Sequence, residues 1–316
     1  MRRRDVLALP VILTASVPVM LSLSKHDTAD GRWTTKAPLP LGRSEIAVAA
    51  TDGALYVIGG FGPGGQALVL AYEFATDRWR ERAPLPRGLN HVGAVGHGGR
   101  IYAAGGFAAE DGRAVGDAYV YDPGTDRWSA LAPLPTPRGA PAVAVLAERI
   151  HVVGGNAGGK SIGAHELYDP RTRRWSSAAP LPQGRDHLGL VALDDRIHAL
   201  AGRIDTYAHP TNLHDVYDAR VDRWSAGPPL PTARSGGAAS AYEGRAYYIG
   251  GEEPRGTFVQ NEAYDPRSDA WSIETPLPQG RHGFGAVAAG GALFAPGGAA
   301  VPGGSGQTTT LLVFTR

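Results

Sequence analysis

Six short apolar segments divide the chain at nearly equal intervals, and each ends in a pair of small residues. They are ALYVIGG from Ala54, RIYAAGG from Arg100, RIHVVGG from Arg149, RIHALAG from Arg196, RAYYIGG from Arg245 and ALFAPGG from Ala292. Apolar runs of this length bounded by glycine predict short strands, and the glycines permit a positive φ at the strand end. Each segment follows a strand of small residues, such as HVGAVG from His91.

A polar turn and a tryptophan come next in the first five repeats, and a degenerate copy of this turn, HDTADGRW from His26, brings Trp33 ahead of the first repeat. The turn reads YDPGTDRW at Tyr121 and YDPRTRRW at Tyr168, and its Asp, Pro and Gly predict a reversal between strands. A Pro-Leu-Pro element follows the tryptophan, and its prolines remove ladder donors, which predicts a strand exit. All six tryptophans of the chain occupy this position, 46 to 49 residues apart: Trp33, Trp79, Trp128, Trp175, Trp224 and Trp271.

The glycine pair, the Tyr-Asp turn and the tryptophan at this period resemble the kelch repeat over residues 26–316. The resemblance implies an all-β, six-bladed kelch β-propeller with four antiparallel strands per blade, occupying residues 25–316. A single repeat cannot bury both faces of its sheet, whereas six stacked radially can. The last repeat ends after three strands, at LLVFTR. We therefore expect the N-terminal strand around Trp33 to complete the C-terminal blade.

The N-terminal residues predict an export signal. Arg3 and Arg4 precede an apolar stretch that runs from Val6 to about Leu23, an arrangement that resembles a twin-arginine signal peptide over residues 1–24. Small residues before Lys25 offer a cleavage site. The alternative is an uncleaved membrane anchor, because the stretch approaches spanning length. We expect a location in the bacterial cell envelope, periplasmic or extracellular, with membrane contact only through an uncleaved signal.

Composition excludes several functional classes. The chain has no cysteine, so it has no disulfide framework and no thiolate metal site. The formal charge of +1 becomes −1 once residues 1–24 are removed, which argues against nucleic-acid binding. The repeats leave no room for a second domain, and we expect a monomer.

Arginine recurs three residues after the Pro-Leu-Pro element in five repeats of six. The series comprises Arg43, Arg138, Arg185, Arg234 and Arg281. One interpretation is a ring of guanidinium groups that binds an anionic ligand at the channel mouth. The other is a scaffold role, in which each arginine bonds to backbone or to an acid of the adjacent blade. Recurrence in nearly every copy favours the scaffold role.

The positions that differ between repeats predict the ligand surface, because the scaffold does not require them. The two positions after that of the arginine, which is Leu89 in one repeat, carry Glu45, Asn90 and His91, Asp186 and His187, and His282; after the glycine pair come Arg203 and Glu252. The loops that carry them open on one face of a four-stranded blade. Phe61 and Phe107 share that face. The mixture suits a small polar ligand such as a sugar, or a peptide segment that bridges several blades.

Histidine reaches this rim in alternate repeats, at His91, His187 and His282. A metal needs ligand atoms about 2 to 2.3 Å from one ion, and ligands on alternate blades would have to converge across a wide channel. We therefore expect hydrogen-bonded or solvated histidines, with no metal and no cofactor.

Two functions fit these residues. The first is an exported binding module that presents the channel mouth to a protein or a glycan. The second is a carbohydrate-active enzyme, because exported kelch propellers resemble galactose oxidase and the bacterial sialic acid mutarotases. The resemblance to galactose oxidase implies a tyrosine crosslinked to cysteine, which this chain lacks. A mutarotase-type reaction needs only an acid and a base.

Overall fold

The protein is a closed ring of six β-sheets in a computed structural model that describes residues 31–51 and 53–316. The described residues contain no helix, and hence none long and apolar enough to cross a membrane. The predicted signal at residues 1–24 lies outside the described residues. The repeats account for the sheets, since each apolar segment forms a strand at the expected place.

The described residues form thirty short strands. The first ten are β1 (Arg32–Lys36), β2 (Ala47–Thr51), β3 (Ala54–Ile58), β4 (Val69–Glu73), β5 (Arg78–Arg82), β6 (Leu89–Asn90), β7 (Gly93–His97), β8 (Arg100–Ala104), β9 (Phe107–Ala108) and β10 (Ala118–Asp122). The next ten are β11 (Arg127–Ala130), β12 (Ala142–Leu146), β13 (Arg149–Val153), β14 (Asn156–Ala157), β15 (Lys160–Ser161), β16 (His165–Asp169), β17 (Arg174–Ser177), β18 (Gly189–Leu193), β19 (Arg196–Leu200) and β20 (His214–Asp218). The last ten are β21 (Arg223–Ala226), β22 (Ala238–Tyr242), β23 (Arg245–Ile249), β24 (Glu252–Glu253), β25 (Gly256–Thr257), β26 (Asn261–Asp265), β27 (Ala270–Ile273), β28 (Val287–Ala289), β29 (Ala292–Pro296) and β30 (Leu311–Thr315).

Twenty-four of these strands form six antiparallel blades of four, as the sequence predicts. From the channel outward, the blades are β2-β3-β4-β5, β7-β8-β10-β11, β12-β13-β16-β17, β18-β19-β20-β21, β22-β23-β26-β27 and β28-β29-β30-β1. We number the blades 1 to 6 in this order. The remaining strands form three two-stranded ladders, β6-β9, β14-β15 and β24-β25.

The sixth blade joins the two ends of the described chain. Strand β1 pairs antiparallel with β30, with Arg32 opposite Thr315 and Lys36 opposite Leu311. Trp33 lies opposite Phe314, and their ring centroids are 5.0 Å apart. The predicted closure through Trp33 is confirmed.

A repeated contact, which we call the outer clamp, links each blade to the one before it. The indole nitrogen of every tryptophan donates to the carbonyl that precedes the Pro-Leu-Pro element of the preceding blade, at 2.8 to 2.9 Å. In blade 2, Asp126 accepts from both the Tyr121 hydroxyl and the Ala83 backbone N–H. Trp224 is buried, whereas the other tryptophans are half-buried. The tryptophans therefore pack between blades, as expected.

Blades 3 and 4 contain buried pairs of histidines. Nδ1 of His151 lies 2.9 Å from Nε2 of His165, and His198 and His214 repeat this arrangement. His214 is the first residue of β20. Burial lowers the pKa of His151 to about 3 and the pKa values of His165 and His198 to about 4. These rings are neutral parts of the core.

Candidate functional site at the channel mouth

Six residues, one before each blade, form a closed ring around the channel that we call the collar. Its members are Glu45, His91, Ala140, His187, Gly236 and Gly283, all with φ between 50° and 68°. In each collar member after Glu45, the backbone N–H donates to the carbonyl of the preceding member. The N–H of Ile46 donates to the Gly283 carbonyl and so closes the ring; these hydrogen bonds are 2.8 to 3.3 Å long. Ala140 shares this left-handed conformation without any functional group. The conformation therefore belongs to the collar backbone rather than to the chemistry of the side chains.

The collar is narrow because a single hydrogen bond spans the gap between neighbouring members. One ligand atom each from Glu45, His91 and His187 lie within 4.8 Å of one another. The rings of His91 and His187 are 4.8 Å apart between centroids. The expectation that a wide channel keeps these histidines apart is therefore wrong. The sequence places them on different blades but carries no measure of the channel radius.

A cavity of about 100 Å³ lies inside the collar. The collar residues line it together with the residues that follow them, Ile46, Val92, Pro141, Leu188, Gly237 and Phe284. Beyond it, the first strands of all six blades enclose a channel space of about 370 Å³ lined mostly by alanine and valine. Polar chemistry is therefore concentrated at the mouth, over an apolar channel.

Glu45 is the centre of the first half of the polar network at the mouth. Its side chain lies 2.9 Å from Nε2 of His91 and 3.2 Å from Nδ1 of His282. Burial opposes ionisation of Glu45, but the charge of His91 and hydrogen bonds from both histidines outweigh it and hold its pKa well below the usual range. Burial likewise opposes protonation of His282, yet Glu45 and Glu252 together raise its pKa. A buried carboxylate thus lies between two histidines.

Arg203 organises the second half of the network. Its guanidinium donates to Asp186 and to Glu252, both at 2.9 Å, and lies 2.9 Å from Nε2 of His187. Nδ1 of His187 lies 2.6 Å from Asp186. Burial, followed by the charge of Arg203, lowers the pKa of His187 to about 4. His187 is therefore neutral at pH 7, with its proton on the nitrogen that faces Asp186.

The two halves meet at His282, whose Nδ1 is also 3.4 Å from Glu252. The loop that follows β29 crosses above this point: the Val301 carbonyl lies 2.9 Å from Nε2 of His282, and Gly303 N–H donates to Glu252. Because Ser161 and Asn156 of blade 3 donate to Asp186, the network includes residues of all six blades. The predicted residues Glu45, His91, Asp186, His187, Arg203, Glu252 and His282 are all brought together.

Asn90 supports this network from beside His91. Its Oδ1 lies 2.5 Å from Nδ1 of His91, and its amide nitrogen donates to Gln66 and to the Phe107 carbonyl. The rings of Phe61 and Phe107 contact His91 edge-on, with centroids 5.7 and 5.5 Å away. His91 is therefore held by one amide and two aromatic rings.

The five recurring arginines lie beneath the rim, each at most 2% exposed. Arg138, Arg185 and Arg234 form ion pairs with Glu166, Asp215 and Glu262, while Arg43 and Arg281 bond to backbone carbonyls of glycines. The structure thus places these side chains in the scaffold arrangement. The acids belong to the same blade, which corrects the expectation of an adjacent one. These guanidinium groups do not face the cavity.

Two residues of the network, Asn156 and Ser161, are not among the ligand-binding residues predicted from the sequence. Asn156 occupies the same position after the glycine pair as Arg203 and Glu252, so its place in the repeat could have identified it. Ser161 lies five residues further on, in the β14-β15 hairpin. Hairpin length differs between blades, and no repeat position signals this serine.

Comparison with known proteins agrees with this architecture. A solved structure described as "Structure of YjhT" superposes with a TM-score of 0.79, covering 90% of this chain and 97% of that chain at 18% identity. At this identity the similarity shows the fold alone. No curated protein matches the chain. The family model of the KLHDC2/KLHL20/DRC7 Kelch-repeats domain matches residues 19–202, more than half of the chain. The chain belongs to this kelch-repeat family.

Proposed function

We propose that this protein is an exported propeller that binds a glycan, through a sugar unit or chain end, in the cavity inside the collar. The observation that carries the proposal is the convergence of side chains that differ between blades. Glu45, His91 and His187 line one cavity rather than spreading over the rim. A concave site with a few converging polar groups suits a small polar ligand better than a broad protein surface.

The charge of the site favours a neutral sugar. The three carboxylates Glu45, Asp186 and Glu252 already pair with Arg203, His91 and His282. A sugar hydroxyl can donate to a carboxylate, whereas an anionic sugar would find no unpaired cation among these residues. A neutral ligand therefore fits better than a carboxylated one.

Saturation-transfer NMR on a panel of neutral sugars and sialic acid tests the binding proposal. The wild-type protein should bind a neutral sugar, and Glu45→Gln should weaken that binding at least tenfold. Glu243→Gln is the matched control, because Glu243 is exposed in the turn between β22 and β23, on the other face. Equal binding by wild type and Glu45→Gln, or binding of no sugar, would contradict the proposal.

A second candidate function is acid–base catalysis on the bound sugar. Glu45 is 7% exposed and lies between two histidines, so a carboxylate and an imidazole proton are both available at the cavity wall. This arrangement supports interconversion of sugar anomers through ring opening. NMR exchange measurements on neutral sugars and on sialic acid should show acceleration over buffer that is lost in Glu45→Gln. Rates equal to those in buffer would remove this candidate.

Export to the cell envelope rests on residues 1–24, outside the described part of the chain. Replacing Arg3 and Arg4 with lysine should leave the protein in the cytoplasmic fraction of expressing bacteria, because twin-arginine transport requires the pair. The unaltered chain should appear in the periplasm or medium at a mass reduced by the signal. An unchanged distribution would exclude twin-arginine export.

A further inference from the structure

The collar brings together three side chains of the types that bind transition metals. Glu45 precedes blade 1, His91 blade 2 and His187 blade 4, and one ligand atom from each lies within 4.8 Å of the others. Ligand atoms on a tetrahedral zinc are about 3.3 Å apart, since zinc bonds to nitrogen and oxygen are about 2.0 to 2.2 Å long. The side chains must therefore shift by about 1 to 2 Å to bring their ligand atoms to the spacing that one zinc ion requires.

Both histidines are oriented as metal ligands usually are. Nδ1 of His187 faces the Asp186 carboxylate at 2.6 Å, and Nδ1 of His91 faces the Asn90 carbonyl oxygen at 2.5 Å. Asn90 is fixed in this orientation because its amide nitrogen donates to Gln66 and to the Phe107 carbonyl. With each Nδ1–H donated to an oxygen, Nε2 is the nitrogen that would bind an ion; it now faces Glu45 in His91 and accepts from Arg203 in His187. This outer support is typical of metal-binding histidines.

The contact between His91 and Glu45 requires a cation. Nε2 of His91 lies 2.9 Å from Oε2 of Glu45, and when Nδ1 carries the ring proton both atoms are acceptors. Either a second proton or a metal ion must then lie between them. The excess of carboxylates at the mouth stabilises a cation in either case.

We propose that Glu45, His91 and His187 bind one divalent transition-metal ion, with zinc as its representative, and leave a coordination position open towards the cavity. Three protein ligands with an open position are typical of catalytic rather than structural zinc sites. The ion would polarise a ligand oxygen in the cavity. This site goes beyond sugar binding and does not depend on it.

Arg203 controls access to this site. Its guanidinium lies 2.9 Å from Nε2 of His187, where it occupies the lone pair that the metal needs. It also pairs with Asp186 and Glu252, and these partners can retain it when it leaves His187. Metal binding therefore requires a small displacement of Arg203, and removal of its charge should strengthen binding.

Titration of the untagged full chain with Zn²⁺ by calorimetry, after dialysis against EDTA, tests the proposal. One ion should bind per chain, and His91→Ala, His187→Ala and Glu45→Gln should each weaken binding at least tenfold. Arg203→Met should strengthen it. The matched control is His209→Ala, since His209 is an exposed loop histidine and its removal should change nothing. Binding that survives His91→Ala would overturn the proposal, as would the absence of saturable binding.

A second measurement uses only the wild-type protein, so its result does not depend on whether the variants fold. Long-range ¹H–¹⁵N spectra of the wild-type protein report the ring nitrogens directly. Zinc should shift the Nε2 resonances of His91 and His187 and leave those of His151 and His198 unchanged, because the latter rings belong to the buried pairs. Unchanged Nε2 resonances of His91 and His187 at saturating zinc would refute the site. Sugar binding measured in EDTA tests the proposed function separately.

Discussion

The outer clamp and the collar are built from the same repeat, but they use it in opposite ways. At the outer clamp the side chains repeat: every tryptophan donates to the preceding blade. At the collar the backbone repeats, while the side chains are Glu, His, Ala, His, Gly and Gly. The repeated side chains hold the ring together. The varied ones are free to form a site, because the collar needs only their backbone atoms.

The largest effect should come from breaking the buried scaffold beneath the collar. Arg234→Ala leaves Glu262, 1% exposed, as an uncompensated buried charge. We expect a loss of about 3 to 5 kcal/mol in the free energy of unfolding, measured by chemical denaturation. Arg223→Ala, at an exposed position of β21, is the control and should cost less than about 0.5 kcal/mol. A small loss for Arg234→Ala would mean that this arginine is not part of the scaffold.

Truncating the outer clamp should cost somewhat less. Trp224 is 8% exposed and packs in the core that joins blades 3 and 4, so Trp224→Ala should lose about 3 kcal/mol. Trp224→Phe keeps most of the packing but loses the hydrogen bond to Ala179, and it should lose about 1 kcal/mol. Equal losses in the two variants would show that the hydrogen bond, rather than the ring, holds the clamp.

Acid should weaken the protein through its buried neutral histidines, which are the pairs of blades 3 and 4 and, over the same pH range, His187 of the collar. The pKa of His151 is lowered to about 3 by burial, and that of His198 to about 4, from an ordinary value of 6.5. The unfolded chain therefore takes up protons first as the pH falls. Stability present above pH 6.5 should decline towards pH 4, by up to about 1.4 kcal/mol per pH unit for each ring.

The acid sensitivity can be tested by replacing the histidine pair of blade 3 with the residues that blade 1 has at the same repeat positions. Blade 1 has Tyr56 and Val69 where blade 3 has His151 and His165. The double variant His151→Tyr with His165→Val should show a shallower decline in denaturation midpoint between pH 7 and pH 5. An unchanged slope would assign the acid sensitivity to other groups.

The smallest effect should come from the collar backbone itself. Ala140 holds φ at 50° without a functional side chain, so Ala140→Gly should relieve strain and raise stability by no more than about 1 kcal/mol. Zinc and sugar binding should be unchanged. Any loss of binding in this variant would show that the collar conformation depends on its side chains after all.

The sequence predicts the parts of the fold that repeat. The spacing of the tryptophans indicates six blades, and the lone Trp33 indicates closure by the N-terminal strand; both are confirmed. It also indicates the face on which Glu45, His91 and Arg203 meet. It could not predict how closely they approach, because that depends on the radius of a ring set by inter-blade hydrogen bonds. The burial of Arg185 against Asp215 likewise depends on packing between strands, where no sequence motif records the partner.

The pairing of β1 with β30 has a consequence for how the protein is made. Residues 32–36 are synthesised first among the described strands, and their partner at residues 311–315 comes last. Until then, Trp33 lacks its contact with Phe314. The ring can therefore close only after residues 311–315 have left the ribosome, and a chain truncated before them would lack the strand that pairs with β1.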